Sequence, residues 1–207
     1  MMTTPEPSPA TVFVVDDDEA VRDSLALLLR SVELAVETFG SANQFLDSYD
    51  PAAPGCLILD VRLPGMSGLE LQQKLADDGA DLPIVFITGH GDVPMAVRAM
   101  RRGAVDFLQK PFSNQDLLDR VQQALTEQSH RRRQSESKAE IAQRIQSLTP
   151  RENEVMELIV EGLPNKVIAN RLGMSQRTVE VHRASVMRKM QADSVAQLVH
   201  LVFAVNG

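Results

Sequence analysis

TVFVVDDDEAVRDSLALLLRSV, residues 11–32, changes its period in the middle. Thr11–Val15 is a short apolar run rich in β-branched residues, as a buried strand requires. From Val21 onward, apolar residues return at helical spacing. Between the two stand three consecutive carboxylates, Asp16, Asp17 and Asp18. Like charges this close raise one another's pKa unless a cation intervenes, so the junction calls for compensation.

The same alternation recurs down the first two thirds of the chain. LAVETF, CLILD, PIVFIT and AVDFLQ read as further strands, and segments such as GLELQQKLAD carry the helical pattern between them. Ser41 with Gln44, and Ser67 with Glu70, match the reciprocal capping box and mark helix starts. Five such units predict an α/β domain: a doubly wound, flavodoxin-like parallel sheet with helices on both faces. In that architecture chemistry gathers outside the carboxyl ends of the strands, near the point where strand order reverses. Asp16 and Asp17 end the first strand, Asp60 the third, Thr88 the fourth and Lys110 the fifth, so all five are expected at one crevice. An all-oxygen acidic donor set suits a hard divalent cation, and Mg2+ is the expected cofactor.

Composition bounds the alternatives. The chain has 207 residues, 43% of them hydrophobic and 24% charged, as in ordinary globular proteins. Its single cysteine, Cys56, cannot form an internal disulfide and reads as core packing beside LIL. MMTTPEPSPA carries no Lys or Arg, so no secretory leader is expected, and LVHLVFAV falls short of the ~20 apolar residues that cross a bilayer. These features predict a soluble, cytoplasmic protein without a membrane partner.

Charge divides the chain. Residues 1–126 carry 19 acidic and 9 basic residues, a balance of −10, while residues 127–207 carry 9 and 12, a balance of +3. An acidic half suits a cation, and a locally basic half can approach phosphate backbones. SHRRRQSESKAE, residues 129–140, lies at the division without Pro or Gly, flanked by apolar residues at helical spacing. It predicts one long connecting helix, frayed or bent in its polar middle.

LTPRENEV then signals a new helix, with Thr149 as N-cap, Pro150 at the first helical position and Glu152 closing the box. Ala169, Gly173 and Val179 stand at the spacing of a helix-turn-helix, and Ser175 can cap its second helix. Periodicity alone would equally fit any small helical bundle.

Taken together, the acid pair in VVDDDE, the Asp in LILDVRLPGMSG, the Thr in ITGHGD and the Lys in LQKPF resemble a receiver domain of the two-component response regulators, over residues 11–127. The resemblance implies that Asp60 accepts a phosphoryl group from a sensor histidine kinase. It further implies that Asp17, Asp60 and the backbone carbonyl of Arg62 ligate Mg2+, with Asp16 acting through a water. Lys110 and Thr88 would contact phosphoryl oxygens, and Thr88 and Phe107 would form the switch. Gly89 would leave room for the donor, and Pro111 matches the family's cis-proline. Asp18 is left over and reads as a helix N-cap. His90 reads as an exposed loop residue. Val93, Met95, Val97 and Met100, with Arg98, Arg101 and Asp106, offer a face for a homodimer formed on phosphorylation.

LTPRENEV, Gly162, NKVIA, Leu172, TVEVH and RKM resemble the LuxR/NarL-type DNA-binding domain over residues 147–205, and the whole chain resembles a FixJ-type regulator. The implied organisation is a disordered N-terminus (1–10), a receiver (11–127), a helical linker (128–146) and a helix-turn-helix domain (147–207). The recognition helix would span Gln176–Met190 and present Gln176, Arg177, Thr178, Val181, Ala184 and Arg188 to promoter DNA. Glu180, where many NarL relatives carry Lys, could accept from a cytosine amine, and Val181 could touch a thymine methyl. Lys166, Arg183 and Lys189 are expected on phosphates, His182 in a structural role, and RNA polymerase as a further partner. Two rival readings remain. A haloacid-dehalogenase-type phosphatase would need a second Asp where Arg62 stands. A signalling adaptor would use its helical domain on protein, with no salt-sensitive duplex affinity.

Overall fold

The computed structural model of the chain describes residues 10–89 and 93–206, so the expectations for residues 1–9 and for His90 lie outside the described residues. The chain forms two compact units, one ending at Arg131 and the other beginning at Arg132.

In the first unit five strands, β1 (Thr11–Val15), β2 (Ala35–Phe39), β3 (Gly55–Asp60), β4 (Ile84–Thr88) and β5 (Asp106–Gln109), alternate with helices α1 (Glu19–Arg30), α2 (Ala42–Ser48), α3 (Gly68–Asp77) and α4 (Val93–Arg101). A fifth helix, α5 (Asn114–Gln146), follows β5. The sheet is parallel throughout in the order β2-β1-β3-β4-β5, so strand order reverses beside β1. Alternate strand residues feed opposite cores, as a period of two requires. Phe13, Val15, Leu57, Leu59 and Phe86 pack with Phe45, Leu71, Leu75 and Ala99 from α2, α3 and α4. Val12, Val14, Cys56, Ile58, Val85 and Ile87 pack with Leu25, Leu29, Leu117, Val121 and Ala124 from α1 and α5. Burial in this second layer pushes the Cys56 thiol up to about 12, so it stays protonated and inert, as its position in sequence predicts.

Local chemistry sets the helix starts. Asp18 caps α1, its side chain accepting from the amides of Ala20 and Val21. Ser67 and Glu70 form the complete capping box at α3. At α2 the box is only half made: Ser41 accepts from the Gln44 amide, but the Gln44 side chain turns to the Gly40 N–H instead of that of Ser41. The helix α5 is unbroken across its polar middle, where the sequence predicts fraying or a bend. No Pro or Gly interrupts it, and side-chain pairs at four-residue spacing, Gln123–Glu127, Arg132–Glu136 and Arg144–Glu140, support it instead.

The second unit contains the end of α5 with α6 (Pro150–Val160), α7 (Asn165–Leu172), α8 (Gln176–Met190) and α9 (Val195–Asn206). Its core joins Val155 and Ile159 of α6, Ile168 and Ala169 of α7, Val179, Val186 and Met190 of α8, and Leu198 and Val202 of α9. Ile141 is buried in the same core, and Ile145 and Leu148 pack against it. The last turns of the helix expected as a linker are therefore structural members of this unit.

Gly68 is tightly packed against the carboxyl end of β3. A Cβ there would lie 2.2 Å from the Asp60 carbonyl oxygen, which is backbone and cannot yield without moving β3. Gly68→Ala should cost about 1–3 kcal/mol, read as a lower midpoint in equilibrium urea unfolding.

Candidate functional site

Two assemblies carry the chemistry. The first lies at the carboxyl end of the sheet. Because β1 and β3 are neighbours in register, with Val15 opposite Leu59, Asp16 and Asp60 emerge side by side. One carboxylate oxygen from each of Asp16, Asp17 and Asp60 falls within 4.8 Å of the others, with Asp16 and Asp60 buried and Asp17 exposed. Lys110 follows β5 and reaches both buried acids: its Nζ donates to Asp16 Oδ2 at 2.6 Å and to Asp60 Oδ2 at 3.0 Å. The other oxygens are also engaged, Asp16 Oδ1 by the Asp18 amide at 2.9 Å and Asp60 Oδ1 by the Arg62 amide at 3.0 Å. The Lys110–Pro111 peptide is cis, as the resemblance implies, and the Lys110 amide donates to the Thr88 carbonyl at 2.7 Å.

The chain thus supplies the first cation that the acidic cluster needs. Burial pushes the Asp16 carboxyl above its usual range, and the nearby Asp60 charge adds to this, while Lys110 and the Asp18 amide pull it back. Burial works against the Lys110 ammonium, yet its bonds to Asp16 and Asp60 hold its pKa above the ordinary value. The donor set is entirely oxygen, with the exposed Asp17 at its mouth, and this fits a hard divalent ion better than a thiolate-seeking or imidazole-seeking metal.

The supporting residues fall as follows. Thr88, the last residue of β4, is fully buried. Phe107 on β5 is half-buried beside Phe86, with ring centroids 6.2 Å apart. On α4, Ala99 is buried and Met95 packs on the core, whereas Val93, Val97 and Met100 are exposed. Asp106 pairs with Arg120 of α5 at 2.6 Å. Sequence reasoning passed over Arg22, whose Nη1 donates to the carbonyls of Asp16 at 2.8 Å and Asp17 at 3.0 Å, pinning the loop that carries both acids. A lone Arg one turn into an amphipathic helix gives no signal of such a bond.

The second assembly is the pair α7–α8. Gly173 ends α7 in the left-handed region, at φ 64°, which glycine adopts without steric cost, and Ser175 caps α8 by accepting from the Thr178 amide. Val179, Val186 and Met190 turn inward. Gln176, Arg177, Thr178, Glu180, Val181, Ala184 and Arg188 are exposed, as is Lys166 on α7. Val181 is 64% exposed. Arg183 and His182 are half-buried, and Arg183 donates to Asn165 Oδ1 at 3.4 Å.

Lys189, expected on a phosphate, has partners within the domain. Its Nζ is committed to Glu152 Oε2 at 2.6 Å and to the Ser147 carbonyl at 3.0 Å. The reason is Glu152, a buried carboxylate that needs a cation and would be costly to leave unpaired. Ser185 Oγ and the Thr149 amide also donate to it. The bonds from Lys189, Ser185 and the Thr149 amide together lower its pKa to about 2.

Residues 12–122 match the family model described as response regulator receiver domain, and residues 146–202 match bacterial regulatory proteins, luxR family. Nodulation protein W of Bradyrhizobium diazoefficiens is 51% identical over 193 residues, covering 93% of this chain and 85% of that protein. Transcriptional regulatory protein FixJ of Azorhizobium caulinodans is 49% identical over 195 residues, covering 94% and 92%. Among solved structures, response regulator StyR matches at 50% identity with a TM-score of 0.89, covering 95% of this chain and 99% of that one. Full-length FixJ from B. japonicum matches at 44% with a TM-score of 0.59, covering 95% and 97%.

The lowered Glu152 pKa makes a pH prediction. The stability it contributes is fully present above the ordinary value of 4.5 and is lost as pH falls toward about 2. Acid unfolding of the second unit, followed by amide NMR on the full chain, should steepen in that window, and Glu152→Gln should remove that component.

Proposed function

The chain belongs to the response regulators, joins a receiver domain to a LuxR-family DNA-binding domain and is a transcriptional response regulator; on that premise we propose that phosphorylation of Asp60 switches its hold on promoter DNA. The observation that carries the proposal is the position of Asp60 at the end of β3, within reach of both Lys110 and the neighbouring acids. An Asp60 carboxylate oxygen forms the new P–O bond to a phosphoryl group carried on histidine by the sensor kinase. The P–N bond breaks, and its electron pair leaves with the imidazole. Lys110 then meets a phosphoryl oxygen in place of the carboxylate it now holds, and Thr88 donates to another. Asp16, Asp17, Asp60 and the Arg62 carbonyl would hold Mg2+, which supplies charge neutralisation for the incoming phosphoryl group.

Labour divides along the boundaries 11–127 for phosphoacceptance, 128–146 for the helical connection and 147–207 for DNA. Movement of Thr88 draws Phe107 inward and alters the neighbouring α4 surface, where exposed Val93, Val97 and Met100 give a second copy an apolar patch to cover. The dimer sets two recognition helices on half-sites of a promoter. Gln176, Arg177, Thr178, Glu180, Val181, Ala184 and Arg188 face the bases, and Lys166 and Arg183 meet the backbone. Engagement of RNA polymerase follows on that DNA, in the cytoplasm. No external phosphoester is turned over, since Arg62 stands where a phosphatase of the rival type needs its second acid. Among the described residues no helix is long and apolar enough to cross a membrane.

The test treats the chain with acetyl phosphate and magnesium, locates the acid-labile phosphate by mass spectrometry and follows mass by sedimentation. Wild type should carry phosphate on Asp60 and dimerise, and Asp60→Asn should do neither. Undiminished dimerisation of Asp60→Asn would sink the mechanism. Selection from a random duplex library should yield a paired site, bound with an affinity that falls steeply with salt.

A further inference from the structure

A recognition helix must present its side chains to base edges with little freedom, because hydrogen bonds lose strength steeply with distance and angle. The apolar contacts of Val179, Val186 and Met190 hold α8 against its neighbours, but apolar packing is non-directional. It fixes the separation of two helices better than their rotation or axial register. Directional bonds must supply the rest, and the two shortest from α8 side chains converge at one group. Ser185 and Lys189, four residues apart and therefore on one face, both donate to the carboxylate of Glu152 on α6. The same carboxylate accepts the Thr149 amide at 2.7 Å, which ties it to the start of its own helix.

We propose that Glu152 is a positioning residue for sequence reading: its carboxylate clamps α8 through Ser185 and Lys189, and Lys189 acts on DNA through the helix rather than on phosphate. The clamp extends to the chain that enters the domain. Lys189 also donates to the Ser147 carbonyl, just past the end of α5, and Arg144 Nη1 lies 3.4 Å from the Met190 carbonyl. Turning α8 about its axis would strip Glu152 of its two α8 donors and leave its charge with the Thr149 amide alone, so rotated presentations are disfavoured. The lowered pKa of Glu152 agrees with a carboxylate ionised throughout the physiological range. The inference rests on the DNA-reading assignment above, and it separates two roles that charge alone would merge.

The experiment uses the full chain and two duplexes, the selected site and an unrelated sequence, each titrated across a salt series. Lys189→Met keeps the apolar stem and removes the donor. It should weaken binding to the selected site by about tenfold or more while leaving unrelated duplex within about twofold, so the specificity ratio falls. The slope of log affinity against log salt should stay unchanged, because no phosphate contact is lost. Lys189→Arg, which can still donate to Glu152, should restore most of the ratio. Ser185→Ala removes the hydroxyl bond to Glu152, together with a long one from Arg188 Nη2 at 3.5 Å, leaves the ion pair, and carries the same comparison if Lys189→Met fails to fold. A slope shallower by about one would identify Lys189 as a phosphate contact and overturn the proposal. Equal loss on both duplexes, tracking a lower melting temperature, would reduce the clamp to a folding element and overturn it too. Absence of duplex binding by the unsubstituted chain would instead remove the assignment beneath it.

Discussion

The ammonium of Lys110 sits between two carboxylates that the sheet delivers side by side, and the functional end of the first unit is organised around it. Parallel β1 and β3 have no freedom to separate Asp16 from Asp60 once their registers are fixed. Two buried acids in that position would expel one another's charge unless a cation answered both. Lys110 does so from a third segment, at 2.6 and 3.0 Å, and thereby links residues far apart in sequence. The same bonds keep an ammonium in contact with Asp60.

The second unit repeats this physics for a different end. There Glu152 is buried and Lys189 answers it, but the pair joins helices rather than opening to solvent as a cup. Exposure separates the two cases. Asp17 stands at the mouth of the first cluster, giving it a donor that a solvated ion can reach. Around Glu152 the donors are the chain's own Ser185, Lys189 and Thr149 amide, and they bind the carboxylate into the frame of the domain.

Much of this was legible in the residues, and the pattern of success follows interaction range. Strand alternation, caps and helical spacing act over a few residues, so GLELQQKLAD and Gln176–Met190 coincide with α3 and α8, and Asp18 caps α1 as read. Gly173 and Val179 took the places that a helix-turn-helix requires. Competition between equally local partners was harder to foresee: Gln44 chose the Gly40 amide, and side-chain pairing kept α5 helical through its polar middle. The bond from Lys189 to Glu152 left no sign in the sequence because the two lie 37 residues apart, and Glu152 stands in a capping box already explained by its own neighbours. Arg22 escaped for a related reason, since its partners are carbonyls, which every residue possesses.

Cys56 lies on β3 in the layer between the sheet and helices α1 and α5, with no exposed surface. A sole thiol at that depth is a natural clock for breathing of the sheet. Alkylating reagents can meet it only when the surrounding strands and helices part, so its labelling rate reports how often the receiver half opens, while the helical half remains silent to the same reagent.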